Sequence, residues 1–243
     1  MNTTNTATLV LGADSDMGAA IIGSLEGRII AHCYAAPEKL EPLCGGGREI
    51  IPLSGDLSTQ AGIVNLLAEI ETMGYDIDRL AHLPSAPATP RRFREFSSEA
   101  FERALNISFL SAALFCRVFV PRMAKRRFGR VVFMLSSYAF GAPPKYLTEY
   151  VVCKSALAGL MRALAAEYAD KGVTVNGVAP SMTETGFLAN LPEFSVEGNA
   201  KSNPTGRNAV PADIAPVFKL LLSDEAGYIN GAVVPVTGGE MMS

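Results

Sequence analysis

Ala7-Thr8-Leu9-Val10-Leu11-Gly12-Ala13-Asp14-Ser15-Asp16-Met17-Gly18 is a short apolar run that breaks on a glycine and resumes in small residues, Ala19 and Ala20. The run reads as a buried β-strand, and Gly12 can make the tight turn that follows it. Gly18 lets the next helix pack closely on that strand, which leaves the helix N-terminal amides aimed at a pyrophosphate. A glycine turn also fits an ordinary βα connection. Asp14 and Asp16 would repel an anion unless their carboxylates point to solvent.

Outward from this turn, β-rich runs recur at Arg28 to Tyr34, Arg48 to Leu53, Asp78 to Leu83, Arg130 to Leu135, Val173 to Val178 and Ala232 to Val236. Between them, helical spacing marks Ser58 to Met73, Ser98 to Arg126, Glu149 to Lys171 and Pro211 to Leu222. Strands that are apolar throughout, alternating with helices, predict an α/β fold: a doubly wound parallel sheet of about seven strands, covered by helices on both faces in three α/β/α layers. Pro121 should bend or end the long Ser98 to Arg126 helix, whose broad apolar surface suggests a subunit interface. Residues 182–210 hold Gly, Pro, Asn and Ser with weak periodicity and read as a mobile substrate lid.

The chain has 243 residues and 25.7 kDa, with 49% hydrophobic and 19% charged residues and a mean hydropathy of +0.22. That is enough for one domain spanning 1–243, and it excludes a disordered chain. A net charge of −3 gives no broad footprint for nucleic acid. The apolar run from Ile107 to Cys116 is cut by Arg117 well short of the roughly 20 residues a membrane span needs. No basic, apolar leader precedes the first strand, so a cytoplasmic protein without a membrane span is expected. Cys33, Cys44, Cys116 and Cys153 form no CxxC pair and read as buried free thiols, and a metal site is not expected. The only histidines, His32 and His82, support neither zinc hydrolysis nor a Ser-His-Asp triad.

Tyr150 and Lys154 stand four residues apart, on one helix face in adjacent turns. A phenol near its reference pKa of about 10 is too weak an acid at neutral pH, and lowering it by about 3 units takes roughly 4 kcal/mol. An ammonium at 4 Å supplies about 1 kcal/mol in water but about 4 kcal/mol at an effective dielectric near 20. Such a pair works only in a cleft that excludes water. Ser137 lies thirteen residues before Tyr150, just after an apolar strand, where its hydroxyl could reach a substrate carbonyl beside the phenol.

Gly-rich first turn, Ser137 and Tyr150-Val151-Val152-Cys153-Lys154 together resemble the short-chain dehydrogenase/reductase family, whose single Rossmann-type domain has about this length. The likeness runs essentially end to end: Gly55-Asp56-Leu57 after the third strand, Val175-Asn176 in the sixth, Pro180-Ser181 with Thr185, and the closing Gly238-Gly239. The resemblance implies a hydride transfer between NAD or NADP and a carbonyl or secondary alcohol. Tyr150 would be the general acid, Lys154 would lower its pKa and hold the nicotinamide ribose, and Ser137 would orient the carbonyl, with Ser136 as the alternative one residue away. Gly12, Ser15, Asp16, Met17, Gly18, Tyr34, Asp56, Leu57, Pro84, Pro180, Ser181 and Thr185 would line the cofactor site, with Asp56 at the adenine.

Several positions depart from the family pattern. Ser108 stands where the family carries a helix Asn in its proton relay, and Asn106 is two residues out of phase. His82-Leu83-Pro84-Ser85 replaces the family's Asn-Asn-Ala-Gly, and His82 reads as a satisfied structural residue. Tyr34 occupies the place, about 20 residues after the first glycine, where an acid would hold the ribose 2′-hydroxyl; the acidic first turn leans the choice toward NAD. Arg91, Arg92 and Arg94 form one basic cluster and Lys125, Arg126, Arg127 and Arg130 another. Similarity to β-ketoacyl-carrier-protein reductases makes docking of an acidic carrier protein a candidate role for them, beside the plainer one of a helix C-terminus. Phe187, Leu188, Leu191, Phe194, Tyr146 and Phe140 suggest an apolar substrate. A homodimer or homotetramer is expected. The competing class is a family member that keeps the fold but binds a ligand or partner without redox turnover; a hydrolase is more remote, since no GxSxG elbow exists.

Overall fold

The computed structural model describes residues 5–242. Strands β1 (Thr6–Leu11), β2 (Gly27–Cys33), β3 (Arg48–Ser54), β4 (Asp76–His82), β5 (Gly129–Met134), β6 (Val173–Pro180) and β7 (Val233–Val236) form one sheet in the order β3-β2-β1-β4-β5-β6-β7. Every neighbouring pair is parallel. The chain order reverses between β1 and β4, and a crevice opens there at the carboxyl ends of the strands, where ligands bind in open α/β sheets.

Two-residue alternation sorts the strands onto two cores. Ala7, Leu9 and Leu11 of β1, with Val131, Phe133 and Leu135 along β5, pack under α2 (Gln60–Thr72), α4 (Ser111–Arg126) and α5 (Thr148–Glu167). Val10, Val132 and Met134 face the other way, under α1 (Asp16–Ser24) and α7 (Pro211–Leu222). Phe115, Phe119 and Phe133 are fully buried in the first core, each worth roughly 1.5–3 kcal/mol relative to exposure.

Pro121 does not end its helix, which runs on to Arg126 and stops where Arg127 turns left-handed at φ 55°. The break comes earlier. Between α3 (Ser98–Leu105) and α4 the backbone widens into a π turn, Asn106–Leu110, held by Asn106 Nδ2 donating to the Ser58 carbonyl at 2.9 Å. The whole stretch Ser98–Arg126 is long and apolar enough to cross a membrane by length and composition, although Arg117 predicted otherwise. Its apolar side, from Ala112 to Met123, is packed into the core beneath the sheet.

Residues 182–210 carry more structure than their composition predicts: a 3₁₀ turn, Gly186–Asn190, and helix α6 (Glu193–Ser202). Their base is pinned, since the Ala209 amide donates to the Met182 carbonyl at 3.0 Å and the Glu184 amide to the Ala209 carbonyl at 2.8 Å. Asp213 accepts from both Arg207 guanidinium nitrogens and from the Val210 amide, which pulls its carboxyl down to about 2. Cys33, Cys116 and Cys153 are buried free thiols as expected, but Cys44 is exposed.

Candidate active site

A cleft of about 630 Å³ lies at the switch point, floored by the first turn, the ends of β2 and β4, the start of α5 and the segment after β6, within the roughly 300–1,000 Å³ usual for ligand sites. Gly12 sits at φ +77°, a conformation side chains resist. A Cβ on Gly18 would fall 2.4 Å from the Gly12 carbonyl oxygen, so α1 approaches the strand as closely as a pyrophosphate turn requires. Ser15 caps the helix by accepting from the Gly18 amide at 2.9 Å. Ser15, Asp16, Met17, Pro84, Pro180, Ser181 and Thr185 all line the cleft, as do Tyr34, Asp56 and Leu57; Gly18 itself does not, acting through packing. Asp56 accepts from the Ser58 amide and hydroxyl, and the amide bond, foremost, holds its carboxyl below the usual range.

His32, unassigned by its sequence context, clips this region together. Its Nδ1 accepts the Gly12 amide at 3.2 Å and its Nε2 meets the Gly55 carbonyl at 3.0 Å. This pairing requires the neutral ring protonated on Nε2, and burial lowers its pKa accordingly. Both first-turn acids bind the protein's own backbone: Asp14 Oδ2 accepts the amides of Tyr34, Ala35 and Ala36 at 3.0, 3.0 and 3.2 Å, and Asp16 Oδ2 accepts that of Gly186 at 2.7 Å. The second bond ties the turn directly to the segment over the cleft.

At the inner end, Tyr150, Lys154 and Ser136 line the cleft together. Ser137 does not, contrary to the count back from Tyr150; its hydroxyl is buried without a hydrogen-bond partner. Ser136 is the last extended residue before the 3₁₀ turn Ser137–Ala139, and it is there, past the end of β5, that the chain leaves the sheet and the two hydroxyls part. The loop to α5, with Pro143-Pro144 and Tyr146 at φ 73°, has no fixed length to count through.

The expected acidification of the phenol is not met in this structure. Burial pushes Tyr150 up to about 12, against a hydrogen bond with Ser136 that works the other way. Burial likewise brings Lys154 down to about 8. Lys154 Nζ lies 5.7 Å from the phenol ring centre and donates to the Met134 carbonyl at 2.8 Å. Desolvation of the charged form is the foremost cause of both shifts. The Phe187 ring leans on Tyr150 with centroids 5.9 Å apart.

Ser108 is placed on the opposite side of Tyr150. It is buried in the π turn and accepts the Ala86 amide at 3.3 Å. With Tyr150, Cys153, Arg91, Arg92 and Arg103 it lines a separate cavity of about 220 Å³. His82 is only half satisfied. The Ser111 hydroxyl donates to the Ile107 carbonyl, so it accepts from His82 Nε2 at 2.7 Å, and Nδ1 is left buried without a partner; burial lowers its pKa to about 3. Of the six apolar residues expected over a substrate, Phe187, Leu188 and Leu191 line the cleft and Tyr146 the smaller cavity, while Phe194 and Phe140 line neither.

The residues present fit a nicotinamide dinucleotide, and the relatives agree. A family model described as enoyl-(acyl carrier protein) reductase matches residues 18–240. The chain is 32% identical to the 3-oxoacyl-[acyl-carrier-protein] reductase of Pseudomonas aeruginosa over 97% of each chain. Its fold superposes on a candidate NAD(P)-dependent gluconate 5-dehydrogenase from Beutenbergia cavernae with bound NADP, at TM-score 0.87 and 29% identity over 96% of each chain. It also superposes on a 3-oxoacyl-[acyl-carrier protein] reductase from Brucella melitensis with bound NAD, at TM-score 0.86 and 25% identity, covering 98% of this chain and 92% of that one. These matches are reductases and dehydrogenases, and they do not favour a fold kept only for ligand or partner binding.

Proposed function

Because the chain belongs to the short-chain dehydrogenase/reductase family and is an NAD(P)-dependent oxidoreductase, we propose that it reduces a ketone carbonyl, or oxidises the matching secondary alcohol, with Tyr150 as the proton donor or acceptor. The observation that carries this reading is the convergence of Tyr150, Ser136 and Lys154 at the inner end of one cleft. The nicotinamide, when bound, supplies or receives the hydride. Ser136, which lines the cleft with the phenol, orients the substrate carbonyl beside it. Tyr150 passes its proton to the oxygen as charge develops there, and the buried Lys154, mostly protonated at neutral pH with a pKa of about 8, stabilises the phenolate that remains. Phe187 and Leu191 help to keep water from the reacting groups, with 182–210 acting as the lid. Pro180 to Thr185 flank the nicotinamide end.

The substrate we propose is a 3-oxoacyl thioester, the class named for the Pseudomonas relative, with an acidic carrier protein as the candidate partner. The two basic clusters are not equally free to receive it. Arg126 is engaged by Asp76 and the Ile77 carbonyl, Arg127 by the Asp170 carbonyl, and Arg130 is buried among carbonyls. Arg91, although paired with Glu149 at 3.7 Å, and Arg92 line the small cavity that opens beside Tyr150. The enzyme is proposed to work in the cytoplasm as a homodimer or homotetramer.

The test is oxidation of reduced nicotinamide with acetoacetyl-CoA as substrate, in wild type, Ser136→Ala and Ser137→Ala. Ser136→Ala is expected to lower kcat by on the order of 100-fold, as removal of an oxyanion donor does, and Ser137→Ala by less than about threefold. The reverse ranking would overturn the assignment of Ser136. Absence of binding by either reduced nicotinamide at millimolar concentration would overturn the reading itself.

A further inference from the structure

NAD and NADP differ only in the phosphate on the adenosine 2′-oxygen, and doubly wound folds read that difference at the end of the second strand. No acid stands there in this sequence: Tyr34 follows β2, with its side chain 66% exposed. The structure brings one in from elsewhere. Asp14, from the glycine turn, lays Oδ2 across the chain leaving β2, where the consecutive amides of Tyr34, Ala35 and Ala36 all donate to it at 3.0, 3.0 and 3.2 Å. Successive backbone N–H groups converging on one point form a nest, a ready-made anion site. Here the protein's own carboxylate fills it. Asp14 also lines the cofactor cleft, and among the described residues its hydrogen bonds all go to Oδ2, leaving Oδ1 open.

We propose that Asp14 is the residue that selects NAD(H) over NADP(H), an inference that rests on the proposed oxidoreductase function. It works in two ways. An adenosine 2′-phosphate would find the amide donors of this nest taken and a negative charge in its place. A 2′-hydroxyl, which can donate, meets a carboxylate oxygen with free lone pairs. Asp14 thus does from the first turn what an acid at the end of the second strand would do, and the three amides hold it in register with that end. Of the cations that line the same cleft, Lys39, Arg103 and Lys154, it is Lys39, in the turn after β2, that favours the phosphate. The nest decides against it, because its three donors are fixed in the backbone whereas the lysine is a mobile point charge.

The experiment is calorimetric titration of the full chain, at constant ionic strength, with NADH, NADPH, adenosine 5′-monophosphate and adenosine 2′,5′-bisphosphate. Wild type is expected to bind NADH at least about 100-fold tighter than NADPH, the factor that unmade charge-assisted hydrogen bonds give. The 5′-monophosphate should bind more tightly than the bisphosphate by a similar ratio. Asp14→Asn, which keeps the acceptor and removes the charge, should cut the NADH preference about tenfold. Asp14→Ser, which empties the nest, should cut it further, chiefly through a gain in NADPH affinity. Equal or tighter NADPH binding by wild type overturns the proposal, as does an unchanged ratio in both variants with Tm preserved. Should a variant fail to fold, the paired fragments on wild type still decide the matter. If wild type binds none of the four ligands, the oxidoreductase reading falls and this inference falls with it.

Discussion

The two ends of the cleft are built on opposite principles. At the nucleotide end every acid near the glycine turn is already answered: Asp14 by three amides, Asp16 by Gly186, Asp56 by Ser58, with neutral His32 tying Gly12 to Gly55. At the reacting end the polar groups are buried but poorly matched to one another, with Lys154 turned to a backbone carbonyl and Tyr150 pushed up to about 12. The contrast teaches where rigidity and reactivity sit. Satisfied bonds preset the shape that a nucleotide must meet, and desolvated groups held away from their ordinary pKa values carry the differential interaction energy that chemistry draws on.

Four expectations break or sharpen this contrast, in addition to the serine pair. The largest is at the reacting end: Tyr150→Phe should lower kcat by at least about 100- to 10,000-fold, the range for loss of a general acid, with NADH affinity by titration within about twofold. A comparable loss of cofactor affinity would mean that the two ends are not separable. At the far end, Asp14→Asn should narrow the gap between NADH and NADPH affinities about tenfold, read by the same titration.

The third expectation concerns the buried ring beneath both ends. His82 stays neutral in the fold down to about pH 3, while in the unfolded chain it takes a proton near 6.5. The unfolded state therefore binds more protons in that window, and the free energy of unfolding should decline as pH falls from 6.5 toward 3. The slope approaches about 1.4 kcal/mol per pH unit for one group. His32, lowered in the same direction, adds to it; His82→Asn should flatten the decline to what His32 and the carboxylates leave, read from urea unfolding at each pH. The smallest effect is at Asp16. Asp16→Asn keeps an acceptor for Gly186 but removes a charge from the pyrophosphate's neighbourhood, so NADH should bind up to about fivefold tighter, the worth of about 1 kcal/mol for charges near 4 Å in water.

Most of the sheet was legible because its signals are local. The strands and the Pro211–Leu222 helix follow from apolar runs and spacing, and the observed ends lie within a few residues of the expected ones. The Tyr150 to Lys154 face was equally legible, since four residues on a helix fix a direction. The serine was not, because a loop lies between Ser137 and Tyr150 and loops carry no period. The helix was expected to end or bend at Pro121, yet its irregular turn is the π turn Asn106–Leu110, where Asn106 donates to the carbonyl of Ser58, distant in sequence.

Sequence alone determined the alternation of strands and helices, the glycine turn and the spacing of phenol and amine, each written within a handful of neighbouring residues. Tertiary structure decided which serine joins the phenol in the cleft, that burial raises the phenol's pKa instead of lowering it, and that an aspartate of the first turn closes the end of the second strand. Those outcomes depend on desolvation and on backbone donors some twenty residues away in the chain, and such distances close only when the sheet has formed.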